Sequence, residues 1–316
     1  MKKLAIVKAA AACTLAAVCA FGDWVHEGQW GINLPGGIAV APNGNVYVAD
    51  GENNRIQYFT PTGSFLGKWG SYGTGNGQFD FPANVAITPA GDRLYVTEIL
   101  NDRVQYFTST GSFLGKWGSR GTGLGQFSAP EGVAVARNGN VYVTDGANHR
   151  LQYFTSSGSF LGTWGSYGTA EGQFYWPRDA AFGPNGNVYV TESRNNRVQY
   201  FTSSGSYLGK WGSRGSGDGQ FDFTRGVGIA SNGYVYVADQ NNHRAQYFTP
   251  AGSFLGKWGS FGSASGEFIC PVDVAIEPGG ARVYVADTGN NRIQYFKWVN
   301  PAVAPASLGR VKALFR

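Results

Sequence analysis

The sequence has almost no sulfur and almost no imidazole: three cysteines, one methionine and three histidines in 316 residues. Cys13 and Cys19 fall in the first twenty residues, so Cys270 stands alone in the body, and no disulfide framework can staple it. With only His26, His149 and His243, a histidine-built zinc centre has little material. No HExxH, Cys-x-x-Cys or nucleophile elbow occurs. Long apolar runs are missing too. The uncharged stretch after Lys8 is about twelve residues, too short to cross a bilayer.

Charge of one sign is also lacking in the body. The formal +5 comes from the ends: three lysines before residue 21 and Lys297, Arg310, Lys312 and Arg316 after the last repeat, with no acid among either set. Without them, residues 21–296 carry −2. A near-neutral body argues against a nucleic-acid protein, whose affinity rests on neutralising phosphates. Lys68, Lys116, Lys210 and Lys257 are spread on one repeated strand and read as a solvated rim.

The ends are different texts. "MKKLAIVKAAAACTLAAVCA" has the basic start, apolar middle and small residues of a signal peptide cleaved near Ala20. This puts the expected location outside the cytoplasm: secreted, periplasmic or on the surface of a bacterium. Residues 300–316 read as a tail, with "NPAVAPAS" a stiff linker before a short basic, apolar end.

Between them the chain repeats itself. "VYVADGENNRIQYFTPTGSFLGKWGS" at 46–71 returns as "LYVTEILNDRVQYFTSTGSFLGKWGS" at 94–119. The paired Tyr-Val recurs from Tyr47 through Tyr95, Tyr142, Tyr189 and Tyr236 to Tyr284. A fixed period of this size means a solenoid or a propeller. Each unit holds short runs rich in β-branched and aromatic residues, such as "GIAVA", "VYVAD", "RIQYF" and "SFLGKWG", separated by Gly, Asn, Pro and Ser. No run reads as a helix. We therefore expect an all-β, six-bladed β-propeller with four-stranded blades over residues 21–299. The last unit lacks its "SFLGKWG". The mature N-terminus offers "DWVHEGQW", so it should close the ring, with Trp24 as outer tryptophan and Gly28-Gln29-Trp30 matching Gly77-Gln78-Phe79.

The unit "NVYVADGENNRIQYF...GSFLGKWGS" with its Asp/Glu-x-x-Asn-x-Arg signature resembles the NHL repeat family. The resemblance covers about residues 23–296, and the signature recurs at Asn53, Asn101, Asn148, Asn195, Asn242 and Asn290. It implies a propeller. It leaves function open, because such rings serve as binding platforms, lyases and RNA readers. The lyases use histidines on zinc; His149 and His243 here sit in equivalent slots of non-adjacent blades and would point along different radii.

A residue present in every blade reads as structure, so the pairs Asp50/Arg55 to Asp287/Arg292 should fix hairpins. Candidate site residues are those that differ between copies. Before each inner strand the chain reads "PGG", "PAN", "PEG", "PRD", "TRG" and "PVD". Asn84, Asp179 and Asp273 fall on alternate blades and should form a triangle about the axis, with Glu131, Arg178 and Arg225 beside them. They could equally cap strand starts through backbone N–H groups. The Gly-rich loops carry Tyr72, Arg120, Tyr167, Arg214 and Phe261 at one position, an alternation that suggests growth from a two-blade unit.

The expected function is a non-catalytic binding or scaffold propeller. It would act as a monomer and recognise a protein or carbohydrate ligand on the face of the inter-blade loops. No cofactor is expected. The alternative is a metal-assisted hydrolase or lactonase, with calcium or another divalent ion held by oxygen ligands from Asn84, Asp179 and Asp273 together with Glu131.

Overall fold

The computed structural model describes residues 23–299. The signal peptide expected at 1–20 and the tail at 300–316 lie outside them. The ring occupies Val25–Lys297. Of the remaining described residues, Trp24 and Trp298 set their rings edge to face at 5.3 Å.

Six antiparallel four-stranded sheets make the ring. Blade one holds Pro35–Val40, Val46–Asp50, Arg55–Phe59 and Phe65–Trp69, counted from the axis outward. Blades two to five repeat this pattern and begin at Pro82, Pro130, Pro177 and Thr224. Blade six is Pro271–Ile276, Arg282–Asp287 and Arg292–Val299, and its outer strand is Asp23–Gly31. The expected closure by the N-terminal strand is therefore what the sheet order shows.

Each strand's composition follows from its radius. Inner strands crowd the axis and use small residues such as Ala39, Ala134 and Ala180. Second strands are buried on both faces: Val46, Tyr47, Val48, Ala49 and Asp50 all read as buried. With neighbours covering both sides, apolar residues need not alternate with polar ones. The outer tryptophan fills the widening gap between blades. Trp69 packs on Tyr58 at 6.0 Å within its blade and on Phe107 of blade two at 5.9 Å. Second-strand tyrosines add a hydrogen bond to the next blade, as Tyr47 Oη does to the Ser109 carbonyl and Tyr95 Oη to that of Ser156.

The closing strand has a different register from the one the sequence suggests. Trp30, not Trp24, is the outer tryptophan of blade six. It packs on Tyr295 at 5.9 Å and across the seam on Phe59 at 5.3 Å. The glycines fix the alignment. A Cβ on Gly67 would lie 2.6 Å from Tyr58 Cε1, and one on Gly28 would lie 2.5 Å from Tyr295 Cζ. So Gly28-Gln29-Trp30 matches Gly67-Lys68-Trp69 rather than Gly77-Gln78-Phe79. Two motifs of the form Gly-x-aromatic lie close together in each unit, and the packing of the tyrosine ring against glycine selects between them.

The repeated signature holds the inter-blade loops. In blade two, Arg103 Nε donates to Glu98 Oε1 at 2.6 Å, while its Nη atoms donate to the carbonyls of Thr74, Gly75 and Gln78 in the preceding loop. Asn101 Nδ2 reaches the Gly73 carbonyl at 3.0 Å. Gln105 Nε2 donates to the Gln78 carbonyl at 2.6 Å, and its Oε1 accepts from Gly77 N at 3.0 Å. Glu98 is fully buried, so removing one partner strands a charge.

Two outcomes are expected from equilibrium denaturation. Trp30→Ala should lower stability by about 3–5 kcal/mol, the usual range for a large ring in a core, and as much as Trp69→Ala does. Arg244→Ala, which breaks the bond to Asp239 and three to loop carbonyls, should lower it by about 3–5 kcal/mol. Neither variant should alter binding at the channel mouth.

Candidate functional site

Inner strands begin, and second strands end, on the face that carries the inter-blade loops. There the channel opens into a cavity of about 320 Å³. Asn84, Asp179 and Asp273 line both this cavity and the channel beneath it, so they form the constriction between the two.

The alternation of large and small residues at this ring has a packing cause. A Cβ on Gly37 would meet Asn84, one on Gly132 would meet Asp179, and one on Gly226 would meet Asp273. Each polar side chain lies over the glycine of the preceding blade. Space at the axis allows three such groups, so the chain supplies one per pair of blades.

The two carboxylates are committed to N–H donors. Asp179 Oδ1 accepts from Asn84 Nδ2 at 2.9 Å, and Oδ2 accepts from Val227 N at 2.9 Å. Asp273 Oδ2 accepts from Ile38 N at 2.6 Å, and Oδ1 from Val274 N at 2.7 Å. The triangle about the axis and the capping of strand starts are thus the same arrangement. Burial pushes the Asp179 carboxyl up to about 7 against these hydrogen bonds. Asp273 rises well above the usual range, through burial first and the nearby Asp179 second. Among the described residues no three His, Cys, Asp or Glu side chains gather in a metal-ligating cluster.

Above the constriction lies a second group. Glu131 is only 7% exposed, although it faces the cavity. Its Oε1 accepts from Arg178 Nη1 and, at 3.0 Å, from Trp176 Nε1; its Oε2 takes a 3.4 Å contact from Arg225 Nη1. Arg178 Nε is held by Ser193 Oγ and Arg225 Nε by Gln240 Oε1. The guanidinium groups of Arg178, Arg194 and Arg225 stand 5.0, 5.6 and 5.8 Å from the Phe223 ring centre. Desolvation lowers the Arg178 guanidinium to about 10, which still leaves it charged at neutral pH. Three arginines thus surround one ring, and two of them, Arg178 and Arg225, share one carboxylate. The opposite wall is mostly apolar, built by Leu34, Phe81, Ile99 and Val272.

The rim residues stand apart. Tyr72 and Tyr167 are 70% and 63% exposed, and Arg120 and Arg214 are exposed as well. None of the four lines the cavity. Only Tyr167 joins it indirectly: its ring lies 5.0 Å from His149 and 5.1 Å from Tyr175, and His149 Nδ1 accepts from Trp176 N. Burial holds His149 below its usual value, which suits this acceptor role. His243 Nδ1 accepts the same bond from Cys270 N at the junction of blades five and six.

Trp176, Phe223, Phe81 and Leu34 escape a reading confined to the triplets. They occupy one repeated position, immediately before each inner strand, and all have positive φ, as do Ala129 and Cys270. The backbone there is invariant while the side chain changes from Leu to Phe, Ala, Trp, Phe and Cys. That contrast is the signal that marks them.

The NHL repeat model matches residues 33–59, 127–154 and 174–201. Peptidylglycine alpha-amidating monooxygenase of Rattus norvegicus is 41% identical over 66 residues, 19% of this chain and 7% of that protein. Protein brain tumor of Drosophila melanogaster is 39% identical over 70 residues, 22% of this chain and 7% of that protein. The chain therefore spans under a tenth of the length of these curated relatives. Among solved structures, a protein of unknown function from Bacteroides thetaiotaomicron superposes with TM-score 0.68 at 16% identity, covering 88% of this chain and 72% of the other. A catalytically inactive virginiamycin B lyase from Staphylococcus aureus, with quinupristin, superposes with TM-score 0.59 at 16% identity, covering 87% and 89%. Both likenesses are of fold.

The raised carboxyls set a pH test. Asp179 and Asp273 hold protons more tightly folded than unfolded, so their contribution is full below about pH 4, the unfolded range. For Asp179 it is lost as pH rises toward about 7. Denaturant midpoints measured across this window should fall less steeply in the double variant Asp179→Ala, Asp273→Ala than in the wild type. An identical slope would mean that both groups titrate normally.

Proposed function

We propose that this chain, which is a six-bladed propeller of NHL repeats, is a non-catalytic binding module. Its channel mouth receives an acidic segment of a partner protein. The observation that supports this most is the charge balance at the mouth: Arg178, Arg194 and Arg225 gather about Phe223, and Glu131 is the one carboxylate paired there, shared by Arg178 and Arg225. A carboxylate from a ligand would meet guanidinium groups already fixed by Ser193 and Gln240, so little ordering remains to oppose binding. Leu34, Phe81 and Ile99 would take an apolar residue beside it. The rim aromatics Tyr72 and Tyr167 extend the same face outward and suit the remainder of a protein surface.

The leading twenty residues support an exported setting, and blade six, completed to four strands like the other five, suits a monomer because the ring needs no strand from a second copy.

Calorimetry with short synthetic peptides that place Asp or Glu beside an apolar residue tests the reading. Arg225→Ala should weaken binding by about 10- to 100-fold, as expected for a lost hydrogen bond between charged groups. Melting should change little, because the contact to Glu131 is long at 3.4 Å and Glu131 keeps its bonds from Arg178 Nη1 and Trp176 Nε1. Amide versions of the same peptides should bind no better than Arg225→Ala binds the acids. Binding of neutral oligosaccharides that survives Arg225→Ala would replace the protein ligand with a glycan.

A further inference from the structure

The seam between blades six and one lacks a part that the other five junctions possess. From Trp69 to Phe79 the chain makes a loop, whereas Trp30 leads to Ile32 through Gly31 alone. Ile32 is buried in the position of Phe79, three residues before the proline that opens the inner strand. The missing piece corresponds to 71–78.

The residues that would hold such a loop are still present in blade one. At the other junctions they are engaged. The carbonyls of Gly73, Gly121, Gly168, Gly215 and Gly262 accept from the signature asparagines. Glycine N–H groups at 77, 125, 172, 219 and 266 donate to the glutamines. Each arginine donates to loop carbonyls through both Nη atoms, as in blades three and five. In blade one, Asn53, Arg55 and Gln57 hydrogen-bond only to Asp50 among the described residues. Both Nη atoms of Arg55 and Oε1 of Gln57 have no protein partner there. Arg55 is accordingly 29% exposed, against 7% to 13% for its five counterparts. Gln57 nonetheless remains buried.

We propose that this seam notch is a second binding site, one that takes a glycine-rich turn of a partner polypeptide by its main chain. The five occupied junctions define the ligand: carbonyl oxygens for Asn53 Nδ2 and the two Nη atoms of Arg55, and an N–H for Gln57 Oε1. They also define its composition. A Cβ on Gly73 would lie 2.7 Å from Gln78 Cδ, and the same position is glycine in all five loops, at 73, 121, 168, 215 and 262, so a side chain is excluded there, while the position of Gly75 also takes the small Ala170 and Ala264. Asp50 already balances the arginine, so the notch offers neutral donors for carbonyls rather than a net charge for an anion. This site is separate from the channel mouth and does not depend on what binds there.

The probe is the chain's own loop, a synthetic peptide with the sequence of residues 70–79, added to the full-length protein. At millimolar peptide the side-chain N–H resonances of Arg55, Asn53 and Gln57 should shift saturably, and the melting temperature should rise. Arg55→Ala should weaken binding at least tenfold. A second variant copies 71–78 between Gly31 and Ile32. It should melt higher than the wild type and no longer bind the peptide, which shows that the notch was the site. Absence of a saturable shift, or equal binding by the loop-filled variant, or an equal shift with a scrambled peptide of the same composition, overturns the proposal.

Discussion

The ring depends on a buried carboxylate at the end of each second strand. Asp50, Glu98, Asp145, Glu192, Asp239 and Asp287 are all fully buried. Such a charge is tolerated only when its oxygens are hydrogen-bonded and paired. The chain meets that demand with an arginine, an asparagine and a glutamine from the adjoining hairpin. In five blades the same three residues also grip the inter-blade loop. Satisfying one charge therefore fixes the hairpin, the loop and the angle between neighbouring blades. Cross-blade packing of the outer tryptophans and the tyrosine hydrogen bonds then act on blades already held in place.

Because that framework repeats, variation on it is informative. The inner ring alternates glycine with Asn84, Asp179 and Asp273, since three polar groups fill the space where six would collide. Above it, Glu131, Trp176, Arg178, Phe223 and Arg225 come from blades three to five and the junctions between them. The mouth is thus polar and basic on one side and apolar on the other, although the backbone beneath is nearly sixfold. Directionality of this kind suits a ligand with two different ends.

Much of this is legible in the sequence, for reasons that differ by residue. The period, the four strand-like runs and the signature give the propeller, because each states a local requirement: bulk at the outer strand, small residues at the axis, a paired charge at the hairpin. The triplet, expected before each inner strand but in fact opening it, points to Asn84, Glu131, Arg178, Asp179, Arg225 and Asp273, which line the mouth. Trp176 and Phe223 lie one position earlier, and their role emerges only when the positive-φ turn aims them at Glu131 and the arginines. The register of the closing strand is equally hidden: the sequence points to Trp24 as the outer ring, and only the Gly28–Tyr295 contact and the packing of Trp30 on Phe59 put Trp30 there. The shortened junction at Gly31 is visible as a length difference, but its consequence for Arg55 appears only in the hydrogen bonds.

The central claim is that symmetry-breaking residues at the channel mouth form the binding surface while the repeated residues hold the ring. Amide hydrogen exchange with an acidic peptide bound tests it most directly, because it locates the ligand without a mutation. The account requires slower exchange at 176–179 and 223–227, with the turns on the opposite face at 42–45 and 184–187 unchanged. Slowing confined to those turns, or spread equally over all six blades, would contradict it.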